Sequence, residues 1–147
     1  MRLSDKSSRL FAEFFEEMGC CGASDFPDVR IYTGRGARIL TRLLIVDGIT
    51  IGKSVFVDRK YLSRRANGSA GMEKGLLAHE LAHVVQYTNE GKIRFLRTYI
   101  RDFWSEFRSR GEWTGKAWFE AYQAIPHEIE ARELAAMFEP WLASRKK

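Results

Sequence analysis

Leu76-Leu77-Ala78-His79-Glu80-Leu81-Ala82-His83-Val84-Val85-Gln86-Tyr87 lies at the middle of a 147-residue chain. No proline or glycine interrupts it, so it reads as helix, and the prediction extends over residues 72–87 until Asn89, Glu90 and Gly91 end it. A helix turns by about 100° per residue, so side chains four apart stand one turn apart on the same face. His79 and His83 are so related, while Leu77, Leu81, Val84 and Val85 gather on the other side. Two histidines off the apolar stripe are not ordinary core residues. They are either part of a solvated stripe with Gln86, or they hold something.

The spacing suits a metal. Two imidazoles one turn apart can bind one Zn²⁺ through nitrogens at about 2.0–2.1 Å. Zinc lowers the pKa of a bound water toward about 7, and Glu80, between the histidines, can take its proton as general base for attack on a peptide carbonyl. A catalytic zinc takes a third protein ligand and keeps one open position. Downstream, Tyr122-Gln-Ala-Ile-Pro-His-Glu-Ile-Glu-Ala-Arg132 supplies candidates in His127, Glu128 and Glu130. Pro126 suits the first turn of a helix predicted through about residue 142. On that helix both glutamates fall at the edges of an apolar arc made by Ala131, Leu134, Ala135, Met137, Phe138 and Leu142, so the wheel does not choose between them. Tyr122 and His127 are candidate stabilisers of transition-state charge, and Gln86 is a candidate hydrogen-bonding support for a ligand.

Around this centre the pattern is α+β, strands first and helices after. A helix over residues 7–18 carries Leu10, Phe11, Phe14, Phe15 and Met18 on one side. Residues 28–32 alternate as a short strand, closed by the turn Thr33-Gly34-Arg35-Gly36. Residues 37–45 favour a short helix, and Asp47-Gly48 marks a turn. Residues 49–51 and 55–57 read as a hairpin about Gly52-Lys53-Ser54, and residues 64–71 as a polar loop. A helix over residues 92–110 carries one stripe of Ile93, Leu96, Ile100, Phe103, Trp104 and Phe107, beside a narrower one of Arg94, Arg97, Arg101 and Arg108. The plain reading of the arginines is a solvated face. Trp104, Trp113 and Trp118 read as core or as a lid. A short helix is expected over residues 118–124.

The composition, 45% hydrophobic and 29% charged, is that of a globular chain, and the length suits a single domain over residues 1–147. A net charge of +5 permits acidic partners without demanding nucleic acid. No apolar run approaches the roughly 20 residues of a transmembrane helix. The N-terminus has no signal-peptide core, so the default expectation is the cytoplasm, with export left to a dedicated secretion machine. Cys20 and Cys21 are adjacent, and are expected to be free thiols.

His79-Glu-Leu-Ala-His-Val-Val-Gln-Tyr87 followed by Pro126-His-Glu-Ile-Glu-Ala-Arg132 resembles the zincin metallopeptidases whose third ligand is a glutamate, the gluzincins. The resemblance implies a zincin-like fold, one Zn²⁺ per chain and Glu128 as third ligand. The family's motif ends in an Asp that supports a histidine ligand, and Arg132 stands in that place. Residues 28–87, with Asp28-Val-Arg-Ile-Tyr-Thr-Gly34 and Gly48-Ile-Thr-Ile-Gly-Lys-Ser-Val-Phe-Val-Asp58, are similar to a bacterial domain family of predicted zinc metallopeptidases encoded with extracellular contractile injection systems. That similarity implies a strand lining the cleft and pairing with an extended substrate, expected at Ser54, Val55, Phe56 and Val57. The expected partners are a peptide or protein substrate and a component of a secretion particle. The runner-up function is a non-catalytic zinc-binding assembly module, or an effector domain, of such a system.

Overall fold

Ser4 has extended backbone and its hydroxyl accepts the amide of Ser7 at 3.2 Å, which starts helix α1 (Asp5–Glu17). Gly19, at φ +72°, turns the chain away after it. The computed structural model of the chain describes residues 2–44, 48–64 and 70–145. Strand β1 (Arg30–Tyr32) is followed by helix α2 (Arg35–Leu44), then strands β2 (Gly48–Ile51) and β3 (Ser54–Val57). Gly52, at φ +62°, and Lys53 form the two-residue turn of the β2–β3 hairpin. The expected turn at Arg35-Gly36 is already helix, and of the Asp47-Gly48 signal only Gly48 lies within the described residues, where it opens β2.

The sheet order is β1-β3-β2, with β1 parallel and β2 antiparallel to β3. The loop expected over residues 64–71 is bounded by two strands, β4 (Leu62–Arg64) and β5 (Ala70–Met72), which pair antiparallel. Neither has a strong apolar alternation, and it is backbone pairing that defines them. The helical half follows: α3 (Lys74–Glu90), α4 (Lys92–Ser109), α5 (Gly115–Gln123) and α6 (Pro126–Ser144). Gly91, at φ +81°, joins α3 to α4, and the Thr114 hydroxyl caps α5 by accepting the amide of Ala117 at 3.1 Å. The fold is α+β, mostly helical with a small three-stranded sheet.

Helix α3 is central. It packs against β2 and β3 on one side and along α6 on another, with α4 folded beside it. Phe14, Phe15, Ile31, Val55, Val57, Leu81, Val84 and Phe138 are fully buried around it. Phe11 stacks on Phe138 with centroids 4.5 Å apart, which fastens α1 to α6. Because neighbours surround α3, its polar side is interior too: Glu80, His83 and Gln86 are buried and His79 nearly so. The solvated stripe that the wheel allowed is therefore not what the fold makes of these residues. Burying them requires that each be paired.

Candidate metal centre and cleft

His79 and His83 leave α3 toward the first turn of α6, where Glu128 meets them. Nε2 of His79 and Nε2 of His83 are 3.2 Å apart. They lie 3.2 and 3.1 Å from Oε2 and Oε1 of Glu128. Two ligands of a tetrahedral zinc, each bonded at about 2.0–2.1 Å, are separated by about 3.3 Å, so this cluster has the dimensions of such a site. Oε2 of Glu128 is buried and accepts no hydrogen bond. A buried carboxylate with such an oxygen, each of its two oxygens facing one imidazole nitrogen, has the donor chemistry of a metal ligand. One donor atom from each of the three residues falls within 4.8 Å of the others, so His79, His83 and Glu128 could hold an ion.

The surroundings orient these donors. The Gln86 amide donates to the His127 carbonyl at 3.1 Å and to Glu130 Oε2 at 2.7 Å. Its own oxygen is thereby turned to Nδ1 of His83 at 2.8 Å. Nδ1 must then be the protonated nitrogen, and Nε2 of the neutral ring presents its lone pair to the cluster. Tyr99 of α4 donates to Glu128 Oε1 at 2.6 Å, and the Tyr122 phenol of α5 stands near enough to feel the Glu128 charge. Burial first, and the neighbouring Glu128 second, push both phenols far above their ordinary pKa, so both are hydrogen-bond donors. Burial alone would raise the Glu128 carboxyl, but the His79 and His83 imidazoles beside it outweigh burial and hold the group well below the usual carboxylate range. Burial likewise disfavours His83 imidazolium, yet Glu128 lifts its pKa to about 9.

Glu80 stands apart from this cluster, on the sheet side. Its Oε2 accepts the Thr50 hydroxyl at 2.7 Å, and that hydroxyl also lies 3.1 Å from the Glu80 carbonyl. Burial raises its pKa against the opposing pull of His83, His79 and Thr50. A Cβ built on Gly48 would come within 2.3 Å of Glu80 Oε1, so β2 approaches the carboxylate as only glycine permits.

A cleft of about 440 Å³ opens beside these groups. Glu80, His83, Glu128, Tyr99 and Tyr122 line its floor, the residues of β2 form one side, and Leu96, Ile100, Phe103, Trp104 and Trp118 form the other.

Two expectations are corrected here. Ser54, Val55, Phe56 and Val57 form the central strand, paired with β1 on one edge and β2 on the other, so they have no edge to offer a substrate. The cleft strand is β2, Gly48 to Ile51. Nor does His127 face the cleft: it packs edge-on against Phe95 and its Nε2 is 2.8 Å from Glu90. Tyr122 does line the cleft. Of the glutamates left open by the wheel, Glu128 joins the histidines and Glu130 holds Gln86. Tyr99 was not anticipated; its signal is a lone phenol at the cleft-side edge of an apolar helical stripe. Arg132 donates from its guanidinium to the Gln123 carbonyl.

Residues 10–91, more than half of the chain, match the family model of the eCIS core domain, a family associated with extracellular contractile injection systems. The match takes in β2, His79, Glu80, His83 and Gln86, and stops at the Gly91 joint before α4. No curated protein and no solved structure matches the chain. On the strength of that match, the chain belongs to the eCIS core domain family.

Proposed function

We propose that this protein is a zinc-dependent metallopeptidase with a zincin-like fold of the gluzincin type. The observation that carries the reading is the convergence of His79, His83 and Glu128 beside a buried, separately held Glu80 at the floor of an open cleft. Bound there by the two imidazoles and the carboxylate, zinc would supply Lewis acidity to a water and to the carbonyl of the scissile bond. Glu80 is the general base: burial strengthens it as a proton acceptor, and the Thr50 hydroxyl fixes where its carboxylate points. Gln86 holds His83 in the tautomer that a ligand needs. Tyr122, protonated and in the cleft, donates a hydrogen bond to the oxyanion as it develops. The outer edge of β2, unpaired among the described residues, pairs with an extended peptide through backbone hydrogen bonds.

Glu80→Gln tests the reading. It keeps the size and a hydrogen-bonding amide but cannot accept the proton. Zinc content and melting temperature should stay close to wild type, while digestion of a diverse peptide library, followed by mass spectrometry, should slow by at least about 10²-fold. Cleavage that the variant retains in full would sink the assignment of Glu80.

A second reading is favoured by Arg132, which stands where gluzincins have a supporting Asp and bonds elsewhere. In it the domain binds zinc for its folded shape and serves as an assembly or effector module of an injection particle. Confirmed zinc with no cleavage of any peptide by wild type would select this reading.

A further inference from the structure

We propose that the α4–α5 wall of the cleft selects peptides carrying a large apolar side chain with acidic residues beside it, an inference that rests on the peptidase reading above. Single exposed apolar residues are ordinary on any protein, but a contiguous row of them beside a polar site is not. Leu96, Ile100 and Trp104 follow one another along α4 and are 40%, 53% and 36% exposed. With Phe103 and Trp118 they line the same cleft as Glu80 and Glu128. Ile51, 48% exposed, faces the cleft from the β2 side. A volume of about 440 Å³ has room for a few side chains and not for a folded partner. The apolar row shares its cleft with the edge strand β2, a setting that takes an extended chain better than a flat lipid surface.

Charge specifies the flanks. On the α4 wheel Arg97 and Arg108 lie about 20° and 40° beyond Trp104, with Arg101 and Arg94 farther round the helix. Arg94, Arg97 and Arg108 are exposed and form no ion pair among the described residues; Arg101 is paired with Asp102 at 2.8 Å. Through Arg97 and Arg108 the rim of the cleft therefore carries positive charge unpaired among the described residues, beside its apolar wall. A peptide whose apolar residue enters the wall brings its neighbours up to this rim, where carboxylates are favoured and lysines repelled.

Binding can be measured apart from cleavage with zinc-loaded Glu80→Gln protein and short fluorescent peptides. Three peptides are compared by anisotropy: phenylalanine flanked by aspartates, alanine flanked by aspartates, and phenylalanine flanked by lysines. The first should bind at least about tenfold more tightly than either of the others. Ile100→Ser and Trp104→Ala should each reduce the first peptide toward the affinity of the alanine peptide. Arg97→Glu should narrow or invert the preference for aspartate flanks. Zinc content, measured on every variant, should be unchanged, which separates loss of the wall from loss of the fold. Equal affinity for the three peptides, no measurable binding of any, or indifference to Ile100→Ser would overturn the proposal. So would sedimentation with phosphatidylglycerol vesicles that Ile100→Ser abolishes while peptide affinities stay level, since the wall would then be a membrane surface. If the preference holds but wild type cuts no peptide, the peptidase reading fails and the wall stands. If wild type cuts without preference, the wall alone fails.

Discussion

Glu128 meets two imidazoles and the Tyr99 phenol on one buried carboxylate, so its removal should cost more than that of any neighbour. Glu128→Ala is expected to lower zinc affinity by well over the 10–100-fold typical of an outer support, Gln86→Ala by about that 10–100-fold, and Glu130→Ala by less. Competition with a chelating dye measures all three, and a larger loss at Glu130 than at Glu128 would refute the ligand assignment. The same residues set a pH dependence in the metal-free protein. His83 has a folded pKa of about 9 against an ordinary 6.5, so its contribution is full below 6.5 and is lost as pH rises through 9. Glu80, also raised, acts in the same sense: its burial costs stability once pH passes the ordinary 4.5. Glu128 is lowered, so its contribution is present above 4.5 and fails only deep in acid. Metal-free protein should therefore lose stability between about pH 6.5 and 9, whereas zinc, which competes with the proton on His83, should bind more tightly over the same interval. The gap between zinc-loaded and metal-free melting temperatures should widen with pH; a gap that narrows would contradict the cluster. His79, Glu80 and His83 were legible in the sequence because one helical turn is local geometry. The choice of Glu128 over Glu130 came from family resemblance, since it depends on the angle at which α6 meets α3. Tyr99 was hidden because Phe95, Phe103 and Phe107 share its spacing and make it look like one more packing residue.

Between elements, the decisive contact is β2 against α3. Gly48 and Thr50 lie on the same face of the strand, two residues apart, and both touch Glu80. Gly48→Ala would place a methyl where the carboxylate now sits, and Glu80, buried and held by Thr50, has little room to withdraw. The expected result is near-normal zinc content with peptidase activity reduced by about tenfold or more, on the scale of a misplaced general base. Unchanged activity would mean that β2 does not position Glu80. The sequence displayed two alternating segments in this region but not their order, because the pairing of Arg30 with Ser54 crosses α2 and leaves no mark on the periodicity of either strand. For that reason β3 was expected at the cleft and β2 was found there. A similar limit applied to α4. Its apolar stripe has the period of a core helix, yet α5 covers mainly the end near Phe103 and Phe107, and the rest becomes cleft wall.

Across the whole molecule, the donors come from two helices that are distant in sequence, with α4 and α5 between them. An ion shared by α3 and α6 would bind the folded chain and not the unfolded one. Zinc at about a hundred times its dissociation constant should raise the melting temperature by roughly 5–10 °C over chelated protein. Scanning calorimetry with and without chelator checks this, and no shift would remove the metal from the account. The breadth of the fold was readable from the helical periods and turn residues, whereas the burial of both faces of α3 was not, because it requires knowing what packs on each side. The excursion from Gly91 to Pro126 leaves the central helix, builds the apolar wall and returns to deliver Glu128. Among the described residues, Tyr99, which reaches back to that carboxylate, supplies its one hydrogen bond to the three donors. The segment is thus a cassette spliced between two fixed docking points, and it lies, like Glu128, outside the residues matched by the family model. Mutations can rewrite its inner surface while the two histidines and Glu80 stay put, so what the cleft admits can change without moving the centre that it admits it to.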